Sequence, residues 1–263
     1  MEKNILIVFL LIISFVLVFM FIRTRRKLMR FYYRYLYRGY PQPWPIKQIS
    51  VENISPKFGA GKYGSKLESE IYFLGGDFNA GISGRERWIL SVLAKEANKI
   101  FEFGTCTGAT TYLLARNSPE NAKVVTLTLH PEQKMDAIST KKDIAKDMDA
   151  AKSESLYTNF FYEGTRVEDK ITQIFSDSKK LDVSSYVEQF DLIFIDGAHI
   201  YSYVLNDTEK ALKMLKPGGI LLWHDYRHPR RVPGVFNALN EIAEKFPLAH
   251  IEGTTLVFYR KPI

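Results

Sequence analysis

A single cysteine, Cys106, stands among 263 residues, so no intramolecular disulfide framework holds this chain together and a reducing compartment suits it. Internal repeats and low-complexity tracts are also lacking, which excludes a repeat array. Charge is absent from Asn4 to Ile22, NILIVFLLIISFVLVFMFI, an apolar run about long enough to span a bilayer. Acid is absent from the segment behind it, where Arg23, Arg25, Arg26, Lys27, Arg30, Arg34 and Arg38 follow one another. A small-x-small cleavage site is missing too, and the basic cluster lies on the wrong side for a secretion signal. The pattern predicts a single-pass membrane anchor whose basic flank, and the domain behind it, stay on the cytoplasmic side.

Beyond residue 40 the chain holds 28 basic and 28 acidic residues, so its net charge of +7 is concentrated at the membrane end. Tyr32, Tyr33, Tyr35, Tyr37 and Tyr40 interleave with the arginines, which suits anionic headgroups better than nucleic acid. Three segments follow: an anchor over 1–22, a basic and aromatic juxtamembrane stretch ending in the linker PQPWP over 23–45, and a domain over 46–263. The domain opens with GAGKYG and LGGDFN, glycine-bearing stretches that read as an irregular lid. GKYGS lacks the Lys-Ser/Thr pair after its second glycine and is no P-loop.

The densest chemical signal is Lys99 to Gly108, KIFEFGTCTG. Ile100, Phe101 and Phe103 form a buried strand, a glycine turn follows, and Ala109 to Ala115 opens a helix. Backbone N–H groups and the positive end of a helix dipole favour an anionic ligand group at such a junction. Gly104 and Gly108 leave room for close approach. The middle glycine of G-x-G-x-x-G is missing, and Glu102 before the turn would repel phosphates, so a dinucleotide fits poorly. A cofactor with an ammonium beside a carboxylate fits better. S-adenosylmethionine has both.

Two further strands end in polar groups. Phe190 to Asp196, FDLIFID, is followed by Gly197-Ala198-His199, and Lys216 to Asp225, KPGGILLWHD, ends in His224 and Asp225. With the first strand, and above all in the string DGAHIYSYVLNDTEKALKMLKPGGILLWHDY, residues 80 to 263 resemble the class I S-adenosylmethionine-dependent methyltransferases. Within these the string is similar to the small-molecule O-methyltransferase branch of catechol and macrolide-sugar type. The resemblance implies that Glu102 and Gly104 contact the methionine part of the cofactor, that Thr105, Gly108 and Thr110 shape the turn and helix start, and that Asp196 sits between sulfonium and acceptor. It also implies a divalent cation such as Mg2+ on Asp196 and Asp225. The family's acidic residue for the ribose hydroxyls is absent, and Thr128 stands there, so Glu132 reaches in or affinity falls.

The expected fold is α/β, a Rossmann-like and mostly parallel sheet of seven strands with helices on both faces, behind one transmembrane helix. Strands are predicted at 99–104, 123–129, 157–163, 190–196 and 218–225, an antiparallel pair at 248–252 and 255–260, and helices at 85–97 and 233–245. His199, His224 and His228 are candidate general bases, and Arg227, Arg230 and Arg231 candidate contacts to an acidic acceptor. Cys106 reads as a packing residue of the turn. The function expected is methyl transfer to a small or lipid-linked acceptor, with no nucleic-acid partner. A silent methyltransferase-fold scaffold and an NAD or nucleotide-sugar enzyme are the alternatives.

Overall fold

The computed structural model describes residues 12–29, 44–59, 81–133 and 140–263, in two units, Met1–Pro43 and Trp44–Ile263. In the first unit residues 12–29 form helix α1, whose Phe15, Leu17, Phe19 and Phe21 are more than half exposed. No helix among the described residues is long and apolar enough to cross a membrane, and residues 4–11 of the expected span lie outside them. The GAGKYG and LGGDFN stretches lie almost wholly outside them as well.

The second unit is built on eight strands: β1 (Gln48–Ile49), β2 (Lys99–Phe103), β3 (Lys123–Thr128), β4 (Ile171–Phe175), β5 (Phe190–Ile195), β6 (Leu215–Trp223), β7 (Ala249–Ile251) and β8 (Val257–Arg260). Its helices are α2 (Gly84–Ala94), α3 (Ala109–Asn117), α4 (Ala145–Glu154), α5 (Tyr201–Met214) and α6 (Pro233–Ala243). The sheet runs β1-β7-β8-β6-β5-β2-β3-β4, and β8 alone runs against the rest. Central strands such as β5, FDLIFI, are apolar almost throughout because helices cover both faces. The chain winds outward from β2 to β4, then returns to build β5 and β6 on the other side. A crevice therefore opens at the carboxyl ends of β2 and β5.

Two expectations need correction. The sheet has eight strands rather than seven, because Gln48 and Ile49 add a parallel edge to His250 and Ile251. The fourth strand is Ile171–Phe175, not 157–163. Phe160 and Tyr162 carry strand-forming side chains, yet their rings stack on each other, 5.3 Å apart, and press on Gly108. Gly164, at φ 70°, then turns the chain away.

Trp223, Phe101, Phe103 and Phe194 are fully buried at the centre of the sheet. Burial of each such ring contributes about 2–3 kcal/mol. Helix α2 carries a complete capping box, Ser83 accepting from the Glu86 N–H while the Glu86 carboxylate accepts from the Ser83 N–H. The residues just beyond β6 continue into the core: Tyr226 is 1% exposed, stacks on Phe236 and donates to Asn240.

Candidate active site

The turn after β2 closes against the end of β5. Gly104 donates to the Leu127 carbonyl, and the Asp196 N–H donates to Phe103. Gly104 has φ 103°, and a Cβ there would lie 2.2 Å from the Asp196 carbonyl oxygen. Cys106, at φ 46°, completes the bend, and burial with the nearby Glu154 charge pushes its thiol up to about 11. It is therefore a protonated packing group. Gly108 makes room for Phe160 and Tyr162, not for a ligand.

One cleft runs along this turn. Gly104, Cys106, Leu127, Thr128, Ser176, Asp177, Asp196 and Asp207 are among its lining, around some 550 Å³ of atom-free space that includes its open mouth. A second, of about 1030 Å³, shares Gly104, Cys106, Glu154 and Asp196 and adds Thr105, Thr110, Tyr157, His199, His224 and Asp225. Thr128 lines the first cleft as expected, but Glu132 stays exposed on the turn after β3 and lines neither. The carboxylates that do line it are Glu154, Asp177, Asp196 and Asp207.

Glu102 departs from its expected place. It is fully buried beneath the turn and lines neither cleft; one carboxylate oxygen accepts from Thr111 and Thr126, and the other has no partner. Burial outweighs those hydrogen bonds, with Asp196 adding, and pushes its carboxyl up to about 8.

Beside Asp196, which lines both clefts, stand His199 and Asp225 of the second, and ligand atoms of the three all lie within 4.8 Å of one another. His199 Nε2 is 3.2 Å from Asp225 and 3.6 Å from Asp196. Burial works against the charged ring, but the hydrogen bond to Asp196 and the charges of Asp225 and Glu154 prevail and push His199 up to about 9. His224 Nδ1 is 3.0 Å from Asp196 Oδ1 and 3.3 Å from Asp225 Oδ1, and its side chain is only 2% exposed. Asp225 takes a left-handed backbone, φ 62°, and pairs with Arg227 at 2.7 Å. Arg227 is thus spent inside the site. His228 accepts from the Arg230 N–H within its own turn and lies outside the cluster, and Arg230 and Arg231 are exposed.

Sequence reasoning missed four carboxylates. Asp177 and Asp207 line the first cleft, Glu86, on α2, is buried behind His224, and Glu154, at the end of α4, lines both clefts. The S-x-x-E spacing of Ser83 and Glu86 is a capping-box pattern and says nothing of the histidine; nothing in sequence placed Glu154.

The parts fit the ligands that the sequence implies. No side chain is tolerated at Gly104, so backbone alone floors the first cleft. Two carboxylates and an imidazole are hard and borderline donors that suit a divalent cation.

The mostly parallel sheet with its polar groups gathered at the β2–β5 crevice has the arrangement that the resemblance to class I methyltransferases implies. Residues 101–226, just under half of the chain, match the family model described as a methyltransferase domain. An uncharacterized protein of Acanthamoeba polyphaga mimivirus is 40% identical over 52 residues, 20% of this chain; the chain spans about a quarter (24%) of that relative's length. Among solved structures, an O-methyltransferase of tomaymycin synthesis from Streptomyces achromogenes, in complex with SAM, is 19% identical over 68% of this chain and 81% of its own, with a TM-score of 0.46. An O-methyltransferase from Bacillus cereus in complex with SAH is 21% identical over 68% and 82%, at 0.44. An N-methyltransferase from Bradyrhizobium japonicum is 18% identical over 68% and 96%, also at 0.44.

Proposed function

We propose that this protein transfers a methyl group from S-adenosylmethionine to a hydroxyl of a small or lipid-linked acceptor, anchored to the membrane by Asn4–Ile22 with its domain on the cytoplasmic side. The observation that carries the chemistry is the convergence of Asp196, which lines both clefts, with His199 and Asp225 of the second. The uncharged run and its acid-free basic flank carry the location.

In this reading the first cleft takes the cofactor, with the Gly104 turn beneath its methionine part, Thr128 at the ribose, and Asp177 at the far end. The second takes the acceptor. Asp196 and Asp225 would hold a divalent cation such as Mg2+, which when bound would make an acceptor hydroxyl more acidic. His199, whose Nε2 sits beside both carboxylates, is pushed up to about 9 and so holds a proton at neutral pH; it can receive the hydroxyl proton only after giving up its own, which a cation beside it would favour. His224 is spoken for by Asp196 and Asp225 and acts as a fixed positive neighbour rather than a base. Positioning the nucleophile in line with the methyl carbon supplies much of the acceleration.

Titration calorimetry of S-adenosylmethionine and S-adenosylhomocysteine into the full chain in detergent tests the reading. Binding of both, weakened by Gly104→Ala in any fraction that folds and by Asp196→Asn, is the expected result. A folded chain that binds neither overturns it.

A further inference from the structure

We propose that Glu86 is a positioning residue of the active site, acting on Asp196 through the ring of His224. Glu86 belongs to the first turn of α2, outside the segment that carries the methyltransferase signature, and is 2% exposed. Its carboxylate is fixed from two sides. Oε2 accepts from the Ser83 N–H at 2.7 Å, and Oε1 accepts from the Thr255 N–H at 2.6 Å and its hydroxyl at 2.8 Å. A group so held cannot swing. Its Oε2 lies 3.7 Å from His224 Nε2, an ion-pair distance, while Nδ1 on the other side of that ring lies 3.0 Å from Asp196 Oδ1. The His224 main chain is itself tied to β5 by its N–H to Ile195. Both edges of the imidazole therefore face carboxylates, and rotation about χ2 would break the contact to Asp196.

Capping accounts for only part of this. A cap needs one oxygen at the Ser83 N–H, and it does not require an acid opposite a buried histidine. Burial alone would raise the Glu86 carboxyl, yet the nearby charge of His224 and the hydrogen bonds from Thr255 and Ser83 hold it well below the usual range. His224 Nδ1 is shared between Asp196 and Asp225, and Glu86 faces the opposite edge of the ring, so the ring orientation that keeps Nδ1 on Asp196 Oδ1 is fixed from both sides. The contacts of His224 and His199 to Asp196 all fall on Oδ1, and Oδ2 is left to the site. Thr255, which Glu86 holds, also accepts from the Asp225 N–H at 3.3 Å, so the main chain at Asp225 is tied to the same residue.

The test compares Glu86→Gln, which keeps the size and an acceptor oxygen, with Ser83→Ala, which removes the other half of the cap and leaves the charge. Both are made in the full chain in detergent. Two readouts are used. Electron paramagnetic resonance of free Mn2+ reports cation affinity, and this arm rests on the cation reading given above. Ring 15N spectra of labelled histidine, of which the chain has five, report the His224 Nδ1–H directly and do not need a cation. The expected result is a tenfold or greater loss of Mn2+ affinity and a tenfold or greater rise in exchange of the His224 ring proton in Glu86→Gln, with neither change in Ser83→Ala. On a His224→Gln background, Glu86→Gln should then add nothing to the Mn2+ effect. A folded Glu86→Gln protein whose His224 ring proton exchanges as in the wild type overturns the proposal. A wild-type chain that binds no Mn2+ overturns the cation reading instead, and the ring spectra still decide the role of Glu86.

Discussion

The carbonyl oxygen of Asp196 occupies the space that a side chain on Gly104 would need, 2.2 Å from where its Cβ would stand. One strand end thus sets the other, and the cleft floor and the acid beside it form as a unit.

Gly104→Ala is accordingly expected to destabilise the fold by about 3 kcal/mol or more, since it adds a backbone clash to a left-handed φ of 103°. Gly84→Ala, at the start of α2 with open space around it, should change stability by no more than about 1 kcal/mol and in the favourable direction. Urea unfolding of the two variants checks the contrast.

Glu102 gives the cofactor-free protein a pH dependence of definite sign. Its folded-state pKa of about 8 exceeds the ordinary glutamate value of 4.5, so the native state binds the proton more tightly. Its contribution is whole below about pH 4.5 and is lost as pH rises through 8. Relative to the wild type, Glu102→Gln should therefore gain stability steadily from pH 5 to pH 8. Parallel denaturant melts at three pH values would show it, and a constant difference would refute it.

His199 and His224 should separate cleanly. His199→Ala, at a side chain 20% exposed, is expected to leave stability within about 1 kcal/mol. It should also lower single-turnover methyl transfer by roughly 10²–10⁴-fold. His224→Ala strands the buried carboxylates of Glu86 and Asp196 and should cost about 3–5 kcal/mol. Unfolding curves beside single-turnover rates distinguish the two.

Asp225→Asn isolates charge from backbone, because asparagine tolerates the left-handed conformation at φ 62°. It should weaken Mn2+ or Mg2+ binding tenfold or more with little loss of fold, read by calorimetry.

Cys106 should react slowly. With its thiol at about 11 and only partly accessible, thiolate at pH 8 is scarce. Because it is the sole cysteine, the rate of labelling by a disulfide reagent reports it unambiguously, and bound cofactor should slow that rate further.

The sequence showed the sheet wherever apolar strands ended in a carboxylate. FEFG, FIDG and LLWHD placed the first cleft, Asp196 and Asp225 within a residue or two of their true positions, since a buried parallel strand must be apolar and its end must be polar. It failed where long-range packing decides. Phe160 and Tyr162 carry strand propensity but are used as a stacked pair against Gly108, while ITQIF, rich in strand-forming Ile, Thr and Phe, takes the edge of the sheet. Glu102 looked like a cofactor contact because it precedes the turn, but alternation along β2 carries it under the sheet to Thr111 and Thr126. Glu86 and Glu154 lie 110 and 42 residues from Asp196, and nothing local marks them as its neighbours.

Among its described residues, the stretch between β3 and β4 packs Phe160, Tyr162 and Val167 into the main core and Ala151 against Ile200 and Tyr203, and polar ties add to this. Asp143 accepts from the Ser202 N–H at the start of α5, Lys142 reaches Tyr201 and Glu241, and the Phe161 N–H holds the Thr107 carbonyl of the glycine turn. It delivers Glu154 and Tyr157 to the second cleft without contributing a residue to the inner strands. On the proposed reading, a relative could vary the part that carries Glu154 and Tyr157, keep Phe160, Tyr162 and Val167 in the core, and serve a different acceptor on an unchanged sheet.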